Sequence, residues 1–311
     1  MDSIIFFNDW HYGDIFASKG YVQRLLSLLP EDIYVSYAHP YDERLIQDLD
    51  IDFIDVKELF RPAPRVKFVE YPDILAINTW CGAYMEYMDG QPHANWIVIH
   101  KMFRLIYAEI NKRFKLDLEF SENPKDHFPK TDFSSYDTEA ADKFVEDKDN
   151  IILLCNGVVK STSHENSLGD MSYVIVQLAK LHPNRDFLCT AKFTTNLKNI
   201  YFTDDIFKVR PDLSDIGYLS TLHNVKIIIG QASGPFMYCH EKTNMQQRYK
   251  MFVNLSVRPQ DCYPFGLGII LCRYVHCDNI LNPVLTVKAL SELIDKSVSI
   301  YKGVEWIRSF A

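Results

Sequence analysis

The sequence predicts an α/β protein of two domains, each a mainly parallel sheet with helices on its faces. Apolar runs of strand character alternate with stretches of helical periodicity, the rhythm of βαβ units. The rhythm breaks between Leu116 and Asn150 and then restarts, and 311 residues suffice for two domains of ordinary size. Each half also contains a glycine-bearing turn between an apolar run and a helical pattern: Gly13-Asp14-Ile15 and Gly230-Gln231-Ala232-Ser233-Gly234-Pro235.

In the first half, Ser3–Asn8 reads as a strand and Asp14–Leu29 as a helix stopped by Pro30. Ile33–Ala38 and Ile51–Val56 are further strands, with a short helix around Tyr41–Leu49 between them. Arg61-Pro62-Ala63-Pro64 is a loop, because each proline pushes its predecessor out of helical geometry. Asp73–Thr79 reads as a strand and Asn95–Phe114 as a long amphipathic helix with basic residues at its end. The polar, proline-marked stretch Asn123–Pro129 predicts irregular structure, and Thr138–Glu146 a short helix. The domain boundary is expected near residue 147, giving domains 1–147 and 148–285.

The second half opens on the buried strand Ile151–Cys155 and the helix Ser167–Leu181. Asp186–Thr190, Asn199–Thr203, Val225–Ile229, Met251–Leu255 and Gly268–Cys272 read as strands. Asp212–Leu222, a segment starting near Pro235 and Thr286–Tyr301 read as helices.

Composition narrows the function. Hydrophobic residues make up 47% and the net charge is −8 without a Lys/Arg block, which argues against nucleic acid as a partner. No run reaches the roughly 18 apolar residues of a membrane span, and Met1-Asp2-Ser3-Ile4 lacks the basic start of a signal peptide. Seven scattered cysteines without a CxxC pair read as reduced, mostly buried thiols, so a cytoplasmic protein is expected. Gly-x-Gly-x-x-Gly, P-loop and Gly-x-Ser-x-Gly patterns are missing, which disfavours nicotinamide enzymes, P-loop ATPases and α/β-hydrolases. The sequence carries no signature of a particular oligomeric state.

The candidate chemistry sits after the first strand of each half, since ligands of open α/β sheets bind at the carboxyl edge. Asp14 admits two readings, an N-cap of the following helix or a carboxylate available as general base. His11 is a second candidate base or a solvated loop histidine. In the late turn, Ser233, Gly234 and Pro235 offer a hydroxyl and an open amide at a helix start, a phosphate cradle or an ordinary serine cap. Asn156, Gly157, Lys160 and Ser161, after the second half's first strand, form a polar loop suited to a diphosphate or simply mobile. Asp204-Asp205 and the pair His93 and His100 lack further ligands in register, so no metal is expected. Trp80, Tyr12, Tyr84 and Tyr87 are aromatic side chains able to stack on a sugar or base, or to pack.

Together, Gly13-Asp14-Ile15-Phe16-Ala17-Ser18, Asp212-Leu213-Ser214-Asp215-Ile216-Gly217-Tyr218-Leu219 and Ala232-Ser233-Gly234-Pro235 resemble glycosyltransferase family 9, the heptosyltransferase-like group of the GT-B fold. Ala232 stands where that family usually has an acidic residue. The resemblance implies two Rossmann-like domains facing each other across a cleft, with a C-terminal helix, residues 286–311, crossing back to the first. It implies an inverting, metal-independent glycosyltransferase with no cofactor beyond its nucleotide-diphosphate-sugar co-substrate. Asp14 would deprotonate an acceptor hydroxyl on a glycan, lipid-linked or small-molecule acceptor. Ser233, Gly234 and the Asn156–Ser161 loop would hold the donor diphosphate. Two rivals stay open, a sugar-nucleotide epimerase using His164 or His240 and a non-catalytic nucleotide-sugar or carbohydrate binder.

Overall fold

The computed structural model describes residues 2–58, 65–87, 95–157, 169–207, 213–231, 233–256, 270–277, 282–296 and 303–307. The chain forms two compact units, the first running to Ser135 and the second starting at Tyr136. The expected boundary near 147 moves forward because the helix at Glu139–Val145 is bonded into the second unit. Asn224 donates its side-chain amide to the Val145 carbonyl, and the Tyr218 hydroxyl donates to Asp142 at 2.6 Å.

The first unit contains a five-stranded sheet in the order β3-β2-β1-β5-β4. β1 is Ser3–Phe7, β2 Tyr34–His39, β3 Asp52–Asp55, β4 Phe68–Glu70 and β5 Ile74–Asn78. All its pairings are parallel except the short β4, absent from the sequence expectation, which runs antiparallel to β5. Helix α1, Tyr12–Leu26, follows β1, and α2, Asn95–Phe114, is the long helix of this unit. α2 buries Ile99, Met102, Phe103, Ile106 and Ile110, the three-and-four spacing of one helix face. The segment expected as a helix around 41–49 is instead two 3-10 turns, and Asp50 after them has a positive φ of 53°. An αL residue ends helical geometry, and aspartate tolerates it.

α1 is buried on most sides of its first three turns. Gly20 lets the stretch after α2 approach: a Cβ there would lie 2.0 Å from the His127 carbonyl oxygen. The Lys19 ammonium sits 2.6 Å from Asp48 and 3.0 Å from the Thr131 hydroxyl, and Lys19 is 1% exposed. Such a charge is tolerated in the interior because its partners are there too.

The second unit holds a seven-stranded sheet in the order β12-β11-β10-β9-β6-β7-β8, parallel at every pairing. In chain order its elements after α3, Glu139–Val145, are β6 Ile151–Cys155, α4 Ser172–Leu181, β7 Asp186–Cys189, β8 Ile200–Phe202 and α5 Thr203–Ile206. They continue with α6 Leu213–Thr221, β9 Val225–Gly230, α7 Gly234–Tyr238, α8 Lys242–Met245, β10 Met251–Leu255, β11 Arg273–Cys277, α9 Pro283–Asp295 and β12 Gly303–Ile307. β6 and β10 are buried at every residue, β6 as an unbroken apolar run and β10 with a single polar residue, Asn254, as strands in the middle of a parallel sheet should be. Lys250, fully buried, donates to the carbonyls of Ser220, Leu222 and Val225 and so closes the C-terminal end of α6.

Two expectations change here. The strand expected at Gly268–Cys272 lies later, at Arg273–Cys277, and residues 257–269 are outside the described part. The expected C-terminal helix over 286–311 ends at Asp295, and β12 then pairs with β11. α9 stays in the second unit because Leu290, Leu293 and Ile294 join the core that Val174, Ile175 and Leu178 of α4 also enter. Among the described residues no helix is long and apolar enough to cross a membrane.

Candidate active site

Both sheets grow outward in two directions from their first strand. In the first unit the chain runs from β1 to β2 and β3 on one side, then returns to place β5 on the other. The topological switch point therefore lies at the carboxyl ends of β1 and β5, where open α/β sheets bind ligands. In the second unit the same reversal falls between β6 and β9.

At the first switch point the two loops are built alike. Asn8 follows β1 and accepts the Trp10 backbone N–H on its side chain at 3.1 Å; Asn78 ends β5 and accepts the Trp80 N–H at 2.9 Å. Each asparagine thus makes a tight Asx turn, and the turns aim their tryptophans together. The two indoles stack with centroids 4.3 Å apart and planes at 19°. A second stack joins Tyr12 to Tyr41 at 3.6 Å, and the Tyr41 hydroxyl donates to the Trp10 carbonyl.

Asp14 lies beneath this aromatic edge. The N-cap of α1 is His11, whose side chain makes no capping bond, and the Asp14 N–H donates to the His11 carbonyl at 3.0 Å. Asp14 is therefore the third residue of the helix and not its cap, which removes the first of its two readings. Its carboxylate is half-buried and accepts the Cys81 thiol at 3.5 Å on Oδ1. Burial raises its pKa above the ordinary carboxylate range, while the nearby His11, the thiol and a backbone N–H act in the opposite direction. Burial and the Asp14 carboxylate push the Cys81 thiol well up, so it stays a proton donor. His11 itself is exposed.

Behind Asp14, the buried Tyr37 hydroxyl meets Thr79 Oγ1 at 2.7 Å and Ser18 Oγ at 3.2 Å. His39, at the end of β2, accepts the Tyr41 N–H on Nδ1, which places its proton on Nε2. Burial lowers its pKa to about 4. Nε2 of His39 and Nδ2 of Asn8 are buried donors without a hydrogen-bond partner among the described residues.

At the second switch point, Cys155 of β6 is in register with Gly230 of β9, so the loops after these strands are neighbours. Asn156 turns inward: its amide donates to the Ala191 carbonyl and accepts the Ala191 N–H, both at 2.9 Å. It therefore ties down the loop after β7. Among the described residues, a Cβ at Gly157 meets nothing within 4 Å. Ser233 is the N-cap of α7, its hydroxyl 3.5 Å from the Phe236 N–H, and Gly234 and Pro235 are the first two helical residues. α7 has only five residues, shorter than the expected helix, and its positive end is correspondingly weak. Gly230 permits this geometry, because a Cβ there would lie 2.5 Å from the Phe236 ring and 2.9 Å from the Cys155 Cβ. Lys160, Ser161, His164 and Ala232 lie outside the described residues.

The remaining candidates are structural where they are described. His240 is fully buried, bonded to the Phe236 carbonyl at 2.8 Å and the Tyr274 hydroxyl at 3.2 Å, and burial lowers its pKa to about 4. Asp205 of the pair Asp204-Asp205 is an exposed partner of Lys192. His100 meets Tyr21 and Glu122; His93 lies outside the described residues. Tyr84 is buried with its hydroxyl on the Asn78 carbonyl, and nothing is described of the Tyr87 side chain. Among the described residues, no three His, Cys, Asp or Glu side chains gather as a metal site.

No protein-family model matches the chain, and no curated protein matches it in sequence. Solved structures do match it in three dimensions. ADP-heptose LPS heptosyltransferase II of E. coli superposes with a TM-score of 0.53 at 12% identity, over 94% of this chain and 98% of that one. A family 9 glycosyl transferase of Veillonella parvula gives 0.53 at 11% identity, over 97% and 92%. The chain has the GT-B fold. An E. coli heptosyltransferase solved with ADP-2-deoxy-2-fluoro heptose is similar at a TM-score of 0.50 and 8% identity, over 94% and 99%.

Trp80 as the stacking partner of Trp10, and Cys81 as the partner of Asp14, were not expected from the sequence. The signal is present: an apolar strand followed by Asn-x-Trp occurs twice, at Asn8-Asp9-Trp10 and Asn78-Thr79-Trp80.

Proposed function

We propose that this chain is a glycosyltransferase that moves a sugar from a nucleotide-activated donor to an acceptor hydroxyl. One observation carries the reading. On a fold shared with heptosyltransferases, a half-buried carboxylate of raised pKa stands at the switch point of the first sheet, on the first turn of α1. In this reading Asp14 takes the proton of the acceptor hydroxyl as that oxygen attacks the anomeric carbon. The bond from that carbon to the diphosphate breaks, and the nucleoside diphosphate leaves with the electron pair. Attack opposite the leaving group inverts the anomeric centre. No metal enters the step.

The donor belongs to the second unit, at the β6 and β9 loops. Gly157 leaves room for a ligand to approach the backbone, and Ser233 with the amide of Gly234 provides donors for the diphosphate. Asn156 acts there by holding the adjacent loop in place. Lys160 and Ser161 complete the polar loop by sequence. His11, exposed beside Asp14, is the second candidate base, and a positive charge on it lowers the Asp14 pKa.

The test is a screen of UDP-, GDP-, ADP- and CMP-sugars, first by thermal shift and then by release of the free nucleotide in the presence of mixed glycan acceptors. Stabilisation by one nucleoside diphosphate and acceptor-dependent release are expected. Stabilisation by none of them would sink the donor site.

A further inference from the structure

We propose that the switch-point edge of the first sheet is a carbohydrate platform, on which an uncharged sugar ring stacks against Trp10 and Tyr12. The inference rests on the glycosyl-transfer reading and names the chemical class of its acceptor.

Trp10 and Tyr12 are 38% and 39% exposed, two large aromatic side chains two residues apart at the ligand-binding edge. Each already stacks on an inner ring, Trp10 on Trp80 and Tyr12 on Tyr41. Trp10 also meets the His11 ring edge-on, with centroids 6.1 Å apart, and both side chains keep part of their surface in water. The backbone around Trp10 is fixed at both ends, its N–H on Asn8 and its carbonyl on the Tyr41 hydroxyl. A platform held this way loses little conformational freedom when a ligand settles on it, which is what a weak polar ligand such as a sugar requires.

The chemistry beside the rings selects the ligand. A pyranose offers an apolar C–H face to an aromatic ring and hydroxyl donors around its rim. Asp9, exposed, and Asp14 are carboxylates suited to accept those hydroxyls. The same two charges repel phosphate or carboxylate groups, so a nucleotide or an acidic sugar fits poorly. The platform is also connected to the base. Trp80 precedes Cys81, whose thiol is 3.5 Å from Asp14, so the platform and the carboxylate are carried by the same pair of loops.

The experiment uses the full chain without a donor, in saturation-transfer NMR against methyl glucoside, methyl galactoside, N-acetylglucosamine, cellobiose and lactose, with glucose 6-phosphate as the charged competitor. At least one neutral sugar is expected to bind with a Kd on the order of millimolar, with saturation strongest on the C–H protons of one ring face. Trp10→Ala is expected to weaken it about tenfold and Tyr12→Ala a few-fold, whereas Trp10→Phe keeps most of the affinity. Tyr12→Ala gives the answer if Trp10→Ala does not fold. Binding by none of the neutral sugars, equal binding in wild type and Tyr12→Ala, or tighter binding of glucose 6-phosphate than of every neutral sugar would overturn the platform.

The two proposals fail separately. Sugar binding at Trp10 in a chain that releases no nucleotide from any donor overturns glycosyl transfer and leaves the platform standing. Transfer with an unchanged acceptor KM in Tyr12→Ala and in folded Trp10→Ala does the reverse.

Discussion

The thiol of Cys81 donates to Oδ1 of Asp14 across 3.5 Å, joining the loop after β5 to the first turn of α1. This bond favours the charged carboxylate and partly offsets the effect of burial. Cys81→Ala is therefore expected to raise the Asp14 pKa further. If Asp14 is the base, the acid limb of the pH–rate profile moves to higher pH, and Cys81→Ser restores it. A profile unmoved in Cys81→Ala would show that the thiol does not position the carboxylate.

Asp14→Asn keeps the shape of the side chain and removes its basicity. Turnover is expected to fall by about 10²–10⁴, the usual range for loss of a general base. The thermal shift produced by the nucleoside diphosphate should stay within a degree of wild type. Transfer at an undiminished rate would exclude Asp14 as the base.

Two glycines of the second unit should behave oppositely. Gly230→Ala forces a methyl group against Phe236 and Cys155, a clash expected to cost about 1–3 kcal/mol and to lower Tm by several degrees. Gly157→Ala meets no atom of the described residues, so Tm should hold while donor affinity drops. Calorimetry and nucleotide titration of both variants check the contrast.

Removing Asp48 leaves Lys19 in the interior with only the Thr131 hydroxyl described beside it. Asp48→Ala is expected to destabilise by about 3–5 kcal/mol, whereas the double replacement Lys19→Met with Asp48→Leu recovers most of that loss. Urea denaturation of the three proteins measures it.

Acid should weaken both units. His39 and His240 are buried and have pKa values near 4, below the ordinary 6.5. Between these values the unfolded chain binds protons that the folded chain refuses, so stability is complete above about pH 6.5 and falls as pH drops towards 4. Each histidine accounts for at most about 3 kcal/mol. Denaturation midpoints at pH 7.5 and pH 5 should differ accordingly, and His240→Phe should reduce the difference.

The two sheets were legible in the sequence because their inner strands are mostly apolar runs, unbroken in β6 and interrupted only by Lys226 before Gly230 in β9. Asp14 was legible as a candidate through its place after the first strand. Its position inside the helix was not, because His11 is an unusual N-cap that makes no side-chain bond. β4 has three residues and β12 follows a helix that seemed to continue, so neither is long enough to stand out against its surroundings. The inward turn of Asn156 and the pairing of Cys81 with Asp14 depend on contacts across 35 and 67 residues, which no local pattern encodes.

The matched turns at Asn8 and Asn78 have a consequence for redesign. Each asparagine aims one indole, and the two indoles rest on each other, so the loops after β1 and β5 form one mechanical part made from two distant stretches of chain. Grafting a new first loop while keeping the second would leave one tryptophan without its mate. An altered ligand preference at this edge has to be engineered as a coordinated exchange of both loops.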